Sequence, residues 1–343
     1  MSVQTVYDDL KRKLQDVVPD AELRIKAEVA EAVLRLKRER NAVILGHNYM
    51  EPALFHSVPD FTGDSLELCR AAARTTASTI VFCGVRFMAE TAKILNPRKT
   101  VLLPAAEAGC SLAASITAED VRDLKRRFPG VPVVTYINTY AEIKAEADYC
   151  CTSGNAVAIV QSIDADTVIF LPDEYLAANV ARETGRRLLL PSDESEIRRN
   201  RGEKVIVGWP GRCEVHEKFS VEDVENARKQ FPDVLVLAHP ECRPEVTEAV
   251  DFAGSTAAMI RRVRDTTAPR YLLLTECSMA DNIIAENHEK EMIRICSVRC
   301  PHMNEITLEQ TLSALELNRY RVEVPAPIRS RAKRSIERML AVA

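Results

Sequence analysis

The sequence of 343 residues has no apolar run near the length of about 20 residues that a membrane-spanning helix needs. It has no excess of one charge either, because 46 Lys and Arg stand against 50 Asp and Glu. The net charge of −4 excludes a global basic field that would hold nucleic acid or an anionic membrane. Low-complexity segments are absent, and 46% hydrophobic residues exclude a disordered chain. We therefore expect a globular protein whose partners are small molecules.

We expect no secretory signal in the first residues, because charged positions interrupt the segment MSVQTVYDDLKRKLQDVVPDAEL throughout. We expect the cytosol, where reducing conditions disfavour structural disulfides. The 10 cysteines include no C-x-x-C pair, which is the usual local element of a four-cysteine zinc site. Most of them are expected to be buried packing residues, and the others to serve metal binding or catalysis.

Strand-like and helix-like segments alternate along the chain in three similar units, which predicts an α/β fold with parallel strands. The first strands are predicted at residues 41–49, 132–138 and 234–241. A loop follows each first strand. A helix then begins at a cluster of small or hydroxyl-bearing residues, which reads GDS in the first unit, TSG in the second and GST in the third. Second strands are predicted at residues 79–85, 167–173 and 270–276. The third strands lead to Cys110, Cys213 and Cys300.

One cysteine thus follows the third strand of every unit. Coincidence is one interpretation, since 10 cysteines in one chain often produce some alignment. The other interpretation has a physical cause, because open parallel sheets bind ligands beyond the carboxyl ends of their strands. Three related units could then direct their thiolates to a common centre. Isolated, widely spaced thiolates suit an iron–sulfur cluster that keeps one iron open to substrate.

Five strings resemble the quinolinate synthase family, and they occur in the order GHNYMEPALFHSVPDFTGDS, VVTYINTYAEIKAEADYCCTSGNA, HPECRPEV, DFAGSTAAM and RCPHMNEITLEQTL. The resemblance extends from Asn41 to Leu312. It implies three similar three-layer α/β/α domains with parallel sheets around a pseudo-threefold axis. It also implies the reaction, in which iminoaspartate condenses with dihydroxyacetone phosphate to quinolinate in de novo NAD synthesis, with loss of phosphate and two waters.

The resemblance implies a 4Fe-4S cluster at the domain junction, bound by Cys110 in AGCSLA, Cys213 in GRCEVH and Cys300 in RCPHM. These are also the cysteines that the alignment of the units selects. Some relatives carry C-x-x-C-x-x-C around the third ligand, whereas here three residues separate Cys296 from Cys300. A redox role of Cys296 stays open, and we expect it to be buried packing. His216 lies close to Cys213 in sequence and is expected to donate a hydrogen bond near the metal.

Helix openings present free backbone N–H groups and a positive dipole end, which suit phosphate and carboxylate groups. In the family, hydroxyl residues at such openings hold substrate oxygens, and the matching positions are Ser65, Ser153, Ser255 and Thr256. Ordinary N-capping is the alternative role for each of them. Equivalent places in three units favour the substrate role.

Further site residues are expected at the ends of the first strands of the first and second units. At HNY, the resemblance assigns His47 to triose phosphate binding and Tyr49 to acid–base chemistry. Tyr136 and Asn138 alternate along TYIN, so both side chains lie on one face of the strand end. They resemble family residues that hold substrate hydroxyl and carboxylate groups.

His239 and Glu241 alternate in the same way at HPE. Through the resemblance, Glu241 is expected to carry protons during isomerisation and dehydration, particularly if a dry site raises its pKa. We count His239 and Tyr136 with Glu241 and Tyr49 as catalytic residues. Without the resemblance, a solvated acid in a turn would be the simpler interpretation of Glu241.

We expect the units at residues 1–113, 114–217 and 218–320, with a tail at 321–343 that packs on the first unit. Two other functions remain open from the sequence. One is a hydro-lyase that uses an open-iron cluster on another hydroxy acid, and the other is a non-catalytic zinc or iron–sulfur sensor. The unstable imine substrate also implies transient contact with an aspartate-oxidising enzyme.

Overall fold

The computed structural model describes residues 1–199, 202–294 and 298–342, and these residues form three successive α/β units. The first unit contains α1 (Val3–Leu14), α2 (Asp20–Glu39), β1 (Ala42–His47), α3 (Pro52–Phe55), β2 (Phe61–Gly63), α4 (Ser65–Arg74), β3 (Thr79–Cys83), α5 (Arg86–Leu95), β4 (Thr100–Leu102) and α6 (Ser111–Ala114). The second contains α7 (Ala118–Arg127), β5 (Val133–Tyr136), α8 (Ala141–Glu146), β6 (Tyr149–Cys151), α9 (Ala156–Ser162), β7 (Thr167–Leu171), α10 (Glu174–Thr184), β8 (Arg187–Leu189), α11 (Glu194–Arg199) and β9 (Val205–Val207). The third contains α12 (Val221–Gln230), β10 (Val234–Ala238), α13 (Pro244–Ala249), β11 (Phe252–Ala253), α14 (Thr256–Asp265), β12 (Arg270–Leu274), α15 (Cys277–Ile284), β13 (Glu291–Ile293) and α16 (Pro301–Asn304). Two helices follow these units in the chain, α17 (Leu308–Leu317), which packs on α2 of the first unit, and α18 (Ala326–Ala341).

Each unit has its own parallel sheet, and the strand order repeats from one sheet to the next. The orders are β2-β1-β3-β4, β6-β5-β7-β9-β8 and β11-β10-β12-β13, so the second sheet has one additional edge strand. The register repeats as well, because Leu45 faces Phe61, Val134 faces Tyr149 and Leu237 faces Phe252. The predicted α/β class with three similar units is therefore confirmed.

The segments predicted as loops after the first strands each contain a short helix and a short strand. An aspartate stands immediately before that short strand in every unit. Its carboxylate accepts the backbone N–H of the first strand at 2.8 to 2.9 Å, and the three pairs are Asp60 with Ile44, Asp148 with Val133 and Asp251 with Val236. The side chain thus satisfies a strand N–H where the short neighbouring strand has not yet begun.

Buried apolar runs explain why the central strands form. All residues of β5 are buried, and β3, β7 and β12 are buried except at their first residue. Such strands are typical of parallel sheets covered by helices on both faces. Helix α4 shows how the covering helices begin, because Asp64 and Glu67 form a capping box at its start.

The C-terminal segment contacts two units. Leu103 and Tyr320 exchange backbone hydrogen bonds of 2.9 and 3.0 Å, which adds the segment before α18 to the first unit. Helix α18 packs on α8 and β6 of the second unit and on α5 of the first. The exact unit boundaries stay predictions. Among the described residues, no helix combines the length and apolar character that crossing a membrane requires.

Candidate active site

The carboxyl ends of the three sheets surround one cavity, which we call the inner cavity. Every predicted site residue except Ser255 lines it. These residues are His47, Tyr49, Ser65, Cys110, Tyr136, Asn138, Ser153, Cys213, His239, Glu241, Thr256 and Cys300. The parallel arrangement of the strands therefore brings together side chains from positions up to 250 residues apart in the chain.

The three cysteines predicted as metal ligands lie in the same local geometry. Each sulfur accepts backbone N–H groups from the residues two and three positions further along. The donors are Leu112 and Ala113 for Cys110, Val215 and His216 for Cys213, and His302 and Met303 for Cys300. Hydrogen bonds of this kind favour a charged thiolate, which is the form that binds metal.

Burial opposes that charge. It raises the pKa of Cys110 to about 12 and the pKa of Cys300 to about 11, and it raises the pKa of Cys213 well above the ordinary value. The thiols are therefore neutral at pH 7 unless a bound metal displaces their protons. Three cysteines that lie in one cavity, each already hydrogen-bonded by the backbone, fit a metal cluster held by three thiolates.

His216 is the centre of a buried polar chain. Its Nδ1 lies 2.7 Å from Oε2 of Glu241 and 3.3 Å from Sγ of Cys213. Its Nε2 lies 3.0 Å from Oγ1 of Thr275, which is 2.5 Å from the hydroxyl of Tyr49. Glu241 and Tyr49 are therefore connected through His216 and Thr275, and each link is short enough to transfer a proton.

Glu241 is ionised although it is buried. Burial raises its pKa, but hydrogen bonds from His216 and from the hydroxyl of Tyr136 stabilise the carboxylate and lower the pKa. A dry site by itself raises the pKa of Glu241, and the groups that face this carboxylate, which the sequence does not show, act in the opposite direction. In its ionised form this carboxylate has oxygens available to accept a proton or a hydrogen bond.

Two buried histidines have the same fixed tautomer. The backbone N–H of Tyr49 donates to Nδ1 of His47 at 3.2 Å, and the N–H of Glu241 donates to Nδ1 of His239 at 3.3 Å. Burial lowers the pKa of His47 to about 4 and that of His239 to about 3, so both rings are neutral at pH 7. Nε2 is then the N–H donor of each ring, and His239 directs it to the hydroxyl of Ser153 at 3.2 Å.

Asn138 has a free acceptor in this site. Its Nδ2 donates to Oε1 of Glu241 at 3.3 Å, whereas its buried Oδ1 has no partner among the described residues. An unpaired buried carbonyl is costly, so the site favours a ligand that donates a hydrogen bond there. Burial also raises the pKa of Tyr136 well above the ordinary value, which keeps its hydroxyl protonated as a donor.

Ser255 differs from the other hydroxyl residues. It caps α14 and donates its hydroxyl to Oδ2 of Asp64 at 2.9 Å, which joins the third unit to the first. It lines a second, more open cavity, which we call the outer cavity. Asp64 and Ser153 line both cavities and so mark their junction. A substrate role for Ser255 stays a prediction.

Comparison with known proteins decides the family. Residues 31–341 match the family described as Quinolinate synthetase A protein. The chain is 53% identical over 330 residues to quinolinate synthase 2 of Mesorhizobium japonicum, which covers 96% of each chain. It is 50% identical to the quinolinate synthase of Agrobacterium fabrum, with 100% of this chain and 92% of the relative covered. The Xylella fastidiosa quinolinate synthase is 53% identical over 305 residues, which is 89% of this chain and 84% of the relative.

The chain belongs to the quinolinate synthetase A family. Membership confirms the resemblance that the sequence strings indicate, and it agrees with the three repeated parallel sheets. The roles of the individual site residues within this family member stay predictions, and so does the type of metal group. Cys296, whose role was left open, lies outside the described residues.

Sequence reasoning missed several residues of this quinolinate synthetase A site. Thr275 connects His216 with Tyr49, and Asp64 holds Ser255; neither was expected in the site. His216 was expected only as a donor near the metal, whereas it also contacts Glu241. The position of Thr275 at the end of a second strand was the available signal. The apolar side chains that line the inner cavity were not predicted from the sequence either; they are Val85, Phe87, Met88, Val215 and Met303.

Proposed function

We propose that the protein is a quinolinate synthase that condenses iminoaspartate with dihydroxyacetone phosphate, with loss of phosphate and two waters, in de novo NAD synthesis. One observation supports this most strongly. Cys110, Cys213 and Cys300, one from each unit, line a single cavity in the same backbone geometry. Family membership supplies the reaction class, and the polar groups around these sulfurs match what the reaction needs.

We propose that the three cysteines hold a 4Fe-4S cluster, which would supply an open iron as a Lewis acid. Such a cluster requires reduced thiols, so the cytosol is the compartment that suits the protein. Another metal must be considered, because the donor atoms of Cys213, His216 and Glu241 lie within 4.8 Å of one another. A single zinc ion accepts such a set of three donors, so zinc found without sulfide would count against the iron–sulfur cluster.

Substrate anions bind at the helix openings in our proposal. Ser65 begins α4 and Thr256 begins α14, so each hydroxyl lies at the positive end of a helix dipole. Ser153, which precedes α9, offers a hydroxyl between the two cavities. His47 donates a further hydrogen bond through Nε2, which suits a phosphate or carbonyl oxygen of the triose.

Proton transfer follows the buried chain from Glu241 to Tyr49. The ionised Glu241 takes a proton from the condensing carbon skeleton. His216 and Thr275 then allow the proton to be exchanged with Tyr49, whose pKa burial raises well above the ordinary value and which therefore remains a proton donor. Tyr136 and Asn138 orient hydroxyl and carboxylate groups of the intermediate beside Glu241. A dehydration needs a base and an acid within reach of one another, and this chain provides both.

The experiment that tests this function supplies anaerobically purified protein with dihydroxyacetone phosphate and freshly generated iminoaspartate. We expect quinolinate to form only when both substrates are present. Turnover of another hydroxy acid without triose phosphate would support the hydro-lyase instead. Absence of quinolinate from protein with an intact cluster would reject the proposal. Since the imine hydrolyses readily, an aspartate-oxidising enzyme must supply it, and adding such an enzyme should sustain product formation.

A further inference from the structure

A buried asparagine of the second unit is bonded to one short segment of the third unit. Asn179 lies on α10 and is 2% exposed. Its Nδ2 donates to the carbonyl oxygens of Pro240 at 2.8 Å and Cys242 at 3.1 Å. Its Oδ1 accepts the hydroxyl of Thr247 at 2.7 Å. Both N–H groups and the oxygen of this amide are thus used on a segment from another unit.

The two carbonyl groups belong to the residues on either side of Glu241. The backbone N–H of Glu241 is itself held by Nδ1 of His239, and its carboxylate contacts His216. Asn179 lines the outer cavity, whereas Glu241 lines the inner one. The amide therefore fixes the main chain that carries Glu241 without contacting the inner cavity.

We propose that Asn179 is a positioning residue for Glu241. By holding the carbonyl groups of the residues before and after Glu241, it restrains the Cα position of Glu241 relative to His216, which is 2.7 Å from its carboxylate. Small displacements of a catalytic group reduce turnover strongly, because proton transfer requires hydrogen-bond distance. The inference rests on the proposed role of Glu241 as the proton carrier.

The alternative explanation is that Asn179 only stabilises the interface between the second and third units. A second residue of α10 provides a matched control for this alternative. Arg182 lies one turn further along α10 and contacts the same segment through Glu248 at 2.9 Å and Thr247 at 3.3 Å. Its side chain is 37% exposed, and it contacts neither neighbour of Glu241. Arg182→Ala thus weakens the same interface and leaves the Pro240 and Cys242 carbonyls bonded.

The test compares the steady-state kinetics of the cluster-loaded Asn179→Ala and Arg182→Ala proteins with wild type. We expect Asn179→Ala to lower kcat roughly 10- to 100-fold with KM within about threefold. The iron and sulfide content should stay at the wild-type level. The affinity for quinolinate, measured by calorimetry, should also be unchanged. Arg182→Ala should keep kcat within about threefold, since partly exposed ion pairs contribute little.

Thr247→Val provides a second variant that keeps the shape of the core if Asn179→Ala fails to fold. It removes the hydroxyl that holds Oδ1 of Asn179, and we expect a smaller loss of kcat, roughly three- to tenfold. Wild-type kcat in Asn179→Ala, or in Thr247→Val where the alanine variant does not fold, would overturn the inference. An equal loss in Arg182→Ala would do so as well. Wild-type protein that makes no quinolinate despite an intact cluster would instead reject the proposed function, and the positioning role with it.

Discussion

Oε2 of Glu241 lies 2.7 Å from Nδ1 of His216, and both side chains are 3% exposed. Residue 216 follows the third strand of the second unit, whereas residue 241 follows the first strand of the third unit. Their contact joins the neighbourhood of Cys213, a predicted metal ligand, to the predicted proton carrier. The same histidine continues through Thr275 to Tyr49, so one hydrogen-bonded chain passes through residues of all three units.

Replacement of Glu241 tests the proton carrier. Glu241→Gln keeps the shape of the side chain but removes the base, so kcat should fall about 10²- to 10⁴-fold. Iron content and quinolinate binding should remain at the wild-type level. Glu245→Gln is the matched control, because Glu245 is exposed on the same segment. Turnover of Glu241→Gln near that of Glu245→Gln would exclude the proton-transfer role.

Ser65 tests anion binding at a helix opening. Ser65→Ala removes a hydroxyl at the start of α4 in the inner cavity. A hydrogen bond to a charged group contributes about 1.5 to 3 kcal/mol, so KM for dihydroxyacetone phosphate should rise roughly tenfold or more. The change in kcat should be smaller. Ser162→Ala, at the far end of α9, is the control, since its hydroxyl bonds a carbonyl of its own helix at 2.7 Å. Equal KM values for the two variants would contradict the assignment.

His56 links stability to pH away from the inner cavity. Burial, and to a lesser degree Lys13, lowers the pKa of His56 to about 4. In the unfolded chain the pKa returns to about 6.5, so the unfolded state binds more protons between these values. Stability must therefore fall as the pH falls from about 6.5 to about 4, and this residue contributes roughly 1 to 3 kcal/mol to the loss.

The measurement is the thermal unfolding midpoint of wild type and His56→Gln across that pH range. The variant should lose less stability on acidification than wild type does. His288→Gln serves as the control, because His288 is exposed. If His56→Gln and wild type have parallel pH profiles, the buried neutral state of His56 is not the cause.

Much of the fold can be predicted from the chain because its physical cause is local. Apolar, β-branched runs that alternate with helical segments indicate parallel strands, and the cysteines after the third strands indicate a common centre. The short strands inside the predicted loops could not be recognised by periodicity, since β11 has two residues. Their repeated signal is the aspartate before an aromatic residue at Asp60, Asp148 and Asp251.

The protonation states and hydrogen bonds of the site residues depend on contacts between units. They are therefore harder to predict from the sequence than the fold is. Hydrogen bonds from His216 and Tyr136 lower the pKa of Glu241, and His216 belongs to a different unit of the chain. The hydroxyl of Ser255 is committed to Asp64, a contact between residues 191 positions apart. Local sequence identifies these residue types as candidates, but only the packing of the units determines which of them meet.

The central claim is that three distant cysteines hold one iron–sulfur cluster, and anaerobic analysis of iron, zinc and acid-labile sulfide tests it most directly. Wild type and Cys69→Ser should contain iron and sulfide in equal amounts, because Cys69 is buried in α4 and does not line the inner cavity. Cys110→Ser, Cys213→Ser and Cys300→Ser should each lose both elements and all quinolinate formation. A full cluster in any one of these three variants, or zinc without sulfide in wild type, would contradict the account.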